Sequence, residues 1–228
     1  MKARDIIQQT IYKIIDPIVH WLTKIGITPN FITATGLVFN FIATAILIYG
    51  AHSERGDCSY IGLAGVVILF AGLFDMIDGQ VARIGKKTSR YGALFDSVLD
   101  RYSELIVFLG ICYYLTLQGY FFSSLFGFIA LIGSIMVSYI RARAEGLGIE
   151  CKTGFMQRPE RIIFFSSGAI LCGIFYYFAG DYKLYVSWLS FPIFEPIVIF
   201  VIPLLFVAVF SNITAIGRLN YCRKVLNK

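Results

Sequence analysis

Six apolar runs, each near the length a helix needs to cross a bilayer, constrain this chain more than any other feature, and two of them reach full length only by including carboxylates. They cover Phe31–Gly50, Tyr60–Val81, Ala93–Leu117, Tyr120–Tyr139, Ile162–Gly180 and Ser187–Ala215. A helical span takes about 20 residues. With 57% of its 228 residues hydrophobic and 16% aromatic, the chain has more apolar surface than one soluble core can hide. The expected fold is an all-α integral membrane protein with six transmembrane helices and an N-terminal interfacial amphipathic helix. One membrane domain is expected over residues 1–228, with the interfacial helix in 1–27 and the six spans in 28–228.

The first thirty residues carry Asp5, Lys13, Asp16 and Lys24, which break any signal-peptide core. Ile7, Ile11, Ile14, Ile18 and Leu22 recur there at helical spacing, as in a helix lying on a membrane surface. Of the 20 basic residues, all but Arg55 and Lys183 fall in the N-terminal segment, the second and fourth connections and the C-terminus. The positive-inside rule therefore puts both termini and those connections in the cytoplasm. The basic residues are read as topology signals and anion ligands, and no nucleic-acid partner is expected. Five scattered cysteines, Cys58, Cys112, Cys151, Cys172 and Cys222, show no metal-ligand spacing and read as filler. His20 and His52 are the only histidines, too few for a histidine-rich zinc site.

The apolar stretch Tyr60–Phe74 is 15 residues long, so its span must continue through Asp75 and Asp78 toward Arg83. Ile106–Leu117 is short as well, and its span must reach back over Glu104, Asp100 and Asp96 toward Gly92. A charge at that depth costs about 2.5–3.5 kcal/mol even on a mild insertion scale. Asp75 and Asp78 stand at i, i+3 and Asp96 and Asp100 at i, i+4, so each pair shares one helical face. With the two helices antiparallel across Gly85-Lys86-Lys87-Thr88, both pairs come to similar depth and can converge. Four carboxylates alone would repel; around divalent ions they become hard oxygen ligands. Without His or Cys the set favours Mg2+ or Mn2+, and two ions about 4 Å apart would suit phosphoryl chemistry. Arg83 and Arg101 are too few to neutralise the acids as structural ion pairs. Glu104 is left out of the site because Arg101 at i−3 can pair with it. Gly79, Ala82 and Gly92 would let a ligand, or equally another helix, approach the backbone closely.

Read together, Asp75-Met-Ile-Asp78-Gly79-Gln-Val-Ala82-Arg83, eight further residues and Gly92-Ala-Leu-Phe-Asp96-Ser-Val-Leu-Asp100 resemble the signature of the CDP-alcohol phosphotransferases. All eight defining positions of that 26-residue pattern match. The resemblance implies that Asp75, Asp78 and Asp96 hold metal and through it the diphosphate of a CDP-lipid such as CDP-diacylglycerol. It implies Asp100 as metal ligand and general base, Gly79 and Ala82 under the cytidine, and Arg83 against the diphosphate. Gly92 joins the CDP-lipid site, as does Asn30 of Thr28-Pro29-Asn30, although helix capping alone accounts for that tripeptide. CMP would be the leaving product, and a homodimer is what the family implies.

The fourth connection bears on the acceptor. Arg141, Arg143, Lys152, Arg158 and Arg161 crowd the cytoplasmic mouth, which suits an alcohol that itself carries phosphate. Ser138-Tyr-Ile-Arg141-Ala-Arg143-Ala-Glu145-Gly and Arg158-Pro-Glu160-Arg161 resemble phosphatidylinositol-phosphate synthases and their archaeal counterparts, with Arg141 where some relatives carry Lys. Inositol 1-phosphate is the implied acceptor, and Arg141, Arg158 and Arg161 are the candidates for its phosphate. Glycerol 3-phosphate is the alternative acceptor, and a cation transporter the alternative from another class, although no inverted repeat supports it.

Overall fold

The structure, a computed structural model, describes residues 15–151, 153–185 and 192–227. Six long helices carry the fold: α1 (Pro29–Gly50), α2 (Ser59–Ile84), α3 (Arg90–Leu117), α4 (Phe121–Glu145), α5 (Arg158–Ala179) and α6 (Val198–Leu226). Among the described residues, β pairing is limited to one bridge between Leu184 and Phe194. The helix starts follow from local chemistry. Thr28 caps α1 ahead of Pro29, and the Ser89 hydroxyl accepts the Gly92 amide at the start of α3, 2.9 Å away. At the other end of α5, Gly180 takes φ +63° and stops the helix.

Five of the six helices are long and apolar enough to cross a membrane. The exception is α3, which at 28 residues is longer than four of them but carries Asp96, Asp100, Arg101 and Glu104 in its first four turns or so. The last helix begins later than the sequence predicts, at Val198, because Pro192 and Pro196 disfavour helical backbone in the residues before them. Of the N-terminal interfacial helix, residues 1–14 lie outside the described residues. Residues 15–25 are helical, with Ile15 and Val19 buried against Ile32, Ile77 and Val81 beneath the ends of α1 and α2.

Each helix packs along two others, and the contacts close a ring in the order α1, α2, α5, α6, α4, α3 and back to α1. Small residues allow a close crossing: a Cβ at Gly62 of α2 would stand 2.7 Å from the Gly173 Cα of α5. Leu47, Ile61, Phe108, Ile111, Phe165, Phe200 and Leu204 fill the centre. The helices α2 and α3, consecutive in sequence and antiparallel as predicted, do not pack along one another. They are separate arcs of the ring, and α1 lies against both. Their acids therefore face a cleft rather than a helix seam.

Candidate active site

The cleft opens where α2 ends and α3 and α5 begin. From α2 come Asp75 and Asp78, from α3 Asp96 and Asp100, and all four are buried or half-buried. Asp78 is the deepest, at 5% exposure, and Thr33 of α1 donates its hydroxyl to Asp78 Oδ2 over 2.6 Å. Asp96 stands one turn before Asp100 and within electrostatic reach of Asp75, Asp78 and Asp100. So the sequence-predicted carboxylates are brought to one place.

The cation among them is Arg158, in the first turn of α5. Its Nη1 donates to Asp75 Oδ2 and lies 2.6 Å from Asp100 Oδ1. That contact lacks hydrogen-bond geometry, leaving Asp100 Oδ1 buried with no hydrogen-bond partner. A positive side chain in the first turn opposes the helix dipole, so the carboxylates, not the helix, fix its position. Asp100 Oδ2 is 3.6 Å from Arg101, whose Nη1 donates to the Ser97 carbonyl.

One turn further along both helices, Arg161 grips Glu104 with two parallel bonds, Nε to Oε1 at 2.8 Å and Nη2 to Oε2 at 3.1 Å. Both side chains are almost fully buried, at 1% and 7% exposure. One expectation is corrected. Glu104 pairs with Arg161, not with Arg101, because the bidentate fork of a guanidinium from the facing helix outcompetes an i−3 neighbour engaged elsewhere. Arg161, expected from the sequence at the acceptor phosphate, bonds to Glu104 and to the Met156 carbonyl at 3.2 Å, which links α3 to α5.

The remaining candidates lie at the starts of α1 and α3 and in the last turns of α2 and α4. Asn30 at the start of α1 meets Gly92 at the start of α3, where a Cβ on Gly92 would lie 3.5 Å from Asn30 Oδ1. A Cβ on Gly79 would meet nothing within 4 Å, so the backbone there faces open space. Ala82 is half-buried and Arg83 exposed at the end of α2. Arg141, on the last turns of α4, pairs with Glu145 at 2.9 Å with both side chains well exposed, an arrangement weak enough to exchange for an incoming anion.

Sequence reasoning missed four residues. Thr33 and Asn40 are on α1, whose motif-free sequence gives no signal. Glu104 was set aside. Arg218 was counted among C-terminal topology charges; it is 3% exposed and donates to the carbonyls of Thr153 and Val137 at 2.7 Å each, joining α6 to α4 and to the fourth connection. Its place just past the end of the last apolar run was the available clue. Behind the acids, Asn40, Asp75, Ser103, Glu104, Arg158 and Ile162 line part of a cavity of ≈ 20 Å³.

The donor set suits a hard divalent cation: four carboxylates, no thiolate or imidazole, and a buried Asp100 oxygen with no hydrogen bond. Among the described residues no three His, Cys, Asp or Glu side chains stand close enough together to hold an ion as they are, and Arg158 lies between Asp75 and Asp100.

A sequence profile of the family described as CDP-alcohol phosphatidyltransferase matches residues 26–216. An archaetidylinositol phosphate synthase of Methanothermobacter thermautotrophicus is 38% identical over 161 residues, which are 70% of this chain and 73% of that protein. A phosphatidylinositol phosphate synthase of Mycobacteroides abscessus is 35% identical over 170 residues, 74% of this chain and 73% of that protein. The crystal structure of the Mycobacterium tuberculosis phosphatidylinositol phosphate synthase with CDP-DAG bound gives a TM-score of 0.73 at 29% identity, covering 92% of this chain and 94% of that one. The same enzyme in complex with manganese and citrate gives 0.66 at 28% identity, covering 90% and 87%.

Proposed function

This chain belongs to the CDP-alcohol phosphatidyltransferase family, and on that premise we propose that it transfers the phosphatidyl group of a CDP-lipid such as CDP-diacylglycerol to inositol 1-phosphate, releasing CMP. The observation that carries this reading is the meeting of Asp75, Asp78, Asp96 and Asp100 around one cleft at the end of an all-helical membrane bundle. Two relatives named as inositol-phosphate-lipid synthases, at 38% and 35% identity, support the acceptor.

Asp75, Asp78, Asp96 and Asp100 would hold Mg2+ or Mn2+, two ions in this reading, which would neutralise the diphosphate and the charge developing on it. The open face of Gly79, with Ala82, Asn30 and Gly92, gives the cytidine room. Arg83 meets the diphosphate from the mouth. Asp100 accepts the proton of the inositol hydroxyl as that oxygen forms its bond to the lipid-bearing phosphorus; the bond from that phosphorus to the CMP oxygen breaks, and CMP leaves. Arg141 and Arg158 take the acceptor phosphate, with the buried Arg218 adding positive potential behind them. In a membrane, α3 spans with the other five helices because the ring hides its charged half from lipid. Residues 1–27 lie on the surface, the cleft faces the cytoplasm, and two chains form a homodimer. The single domain covers residues 1–228.

Purified protein in vesicles containing CDP-diacylglycerol, supplied with Mn2+ and inositol 1-phosphate, is expected to produce phosphatidylinositol phosphate detectable by mass spectrometry. Arg141→Ala is expected to raise the apparent KM for inositol 1-phosphate by about one order of magnitude or more. Absence of that lipid product, with CMP released to a different acceptor, would remove the inositol assignment.

A further inference from the structure

Arg158 has a part in the carboxylate cluster beyond that of an anion ligand at the mouth. Its Nη1 contacts an oxygen of Asp75 and stands 2.6 Å from Asp100 Oδ1, and the three side chains are only 20%, 26% and 14% exposed. Two of the four acids therefore have a guanidinium where they would present oxygen to an ion. A guanidinium and a divalent cation cannot share those oxygens, because like charges at contact distance repel strongly in a half-buried cleft.

The surroundings are built for a side chain that leaves without loosening its helix. Glu104 and Arg161 form a second, buried rung between α3 and α5, one turn deeper, through two bonds of 2.8 and 3.1 Å. That rung holds the helix pair whether or not Arg158 keeps its own carboxylates. Arg158 also borders the ≈ 20 Å³ cavity behind the acids, which leaves packing slack beside its guanidinium. As a cation in the first turn of α5 it has no favourable interaction with the helix dipole to hold it back.

We propose that Arg158 is a counter-cation built into the site, which competes with the divalent ion for Asp75 and Asp100 and is released toward an incoming anion when the ion takes them. This rests on the metal reading above. It couples the two substrates: the metal that receives the CDP-lipid diphosphate also frees a guanidinium for the acceptor phosphate.

The test needs no turnover. Mn2+ binding to the purified protein in detergent is measured by calorimetry for the wild type, Arg158→Ala and Arg158→Gln, with thermal unfolding of each in chelator and in saturating Mn2+. Removing the competitor is expected to tighten Mn2+ binding by about tenfold or more. Both variants should unfold at lower temperature than wild type in chelator, and Mn2+ should narrow or close that gap. A purely packing role would leave the gap unchanged by Mn2+. Arg158→Gln removes the charge while keeping a polar hydrogen-bonding side chain, and carries the same prediction if the alanine variant does not purify. Mn2+ binding that is equal to or weaker than wild type in the variants overturns the proposal while leaving the metal site standing. Absence of Mn2+ binding in wild type and variants alike would remove the metal site itself.

Discussion

The Thr33 hydroxyl donates to Asp78 Oδ2 over 2.6 Å, tying the beginning of α1 to the most buried carboxylate of the cleft. One oxygen of Asp78 is thereby engaged and its orientation set, leaving the other for a ligand. Thr33→Val, which keeps the shape and removes the donor, is expected to lower turnover by about ten- to a hundredfold, in line with a hydrogen bond to a charged group worth about 1.5–3 kcal/mol. Thr33→Ser should retain most of the rate. Steady-state assays at saturating Mn2+ check both, and a fully active Thr33→Val would show that Asp78 needs no positioning.

Glu104 and Arg161 are predicted to matter for stability before they matter for rate. Breaking a buried pair by removing one partner costs about 3–5 kcal/mol, because the other charge is left uncompensated. Glu104→Leu and Arg161→Met should each lower the unfolding temperature in detergent. The double variant should recover a large part of the loss, since an apolar pair of similar volume avoids desolvation altogether. Strictly additive losses in that cycle would mean that the two residues are not coupled.

The carboxylates themselves give the sharpest mutational expectation. Asp75→Asn, Asp78→Asn and Asp96→Asn should each abolish CMP release while the protein still inserts and purifies, and a chelator should do the same reversibly to the wild type. Near wild-type rate in any of the three at saturating Mg2+ would remove that residue from the metal site.

Orientation follows from charge. By sequence, only Arg55 and Lys183 of the 20 basic residues fall outside the N-terminal segment, the second and fourth connections and the C-terminus. Single cysteines introduced at Lys87 and Phe155 in a cysteine-free background should be labelled by an impermeant reagent only from the cytoplasmic side, and one at Lys183 only from the other. Labelling of residue 87 from outside would turn the cleft toward the wrong compartment.

How far the sequence reached depends on the range of each signal. Helix content and the convergence of Asp75, Asp78, Asp96 and Asp100 were legible because apolar length and i, i+3 or i, i+4 spacing are local properties, read within one or two elements. The partner of Glu104 was not, since Arg161 lies 57 residues away and Arg101 sits at a competing helical interval. Nor could the sequence tell that Arg158 and Arg161, both in one basic stretch, divide their work: one faces the acids of the cleft and the other is sealed in a buried ion pair with Glu104. The separation of α2 from α3 was hidden for the same reason, because a short connection implies neighbours and only the packing of α1 and α5 shows the gap.

In the proposed reaction a phosphorylated inositol attacks a CDP-lipid in the cleft of Asp75, Asp78, Asp96 and Asp100. The most direct test of that reaction is the rate of CMP release from CDP-diacylglycerol by the purified protein, with Mn2+ present and inositol 1-phosphate, free inositol, glycerol 3-phosphate and serine compared side by side. Release with inositol 1-phosphate is expected to be at least about tenfold faster than with any other acceptor, the factor set by one charge-assisted contact to its phosphate. Faster release with glycerol 3-phosphate, or equal release with free inositol, would contradict it.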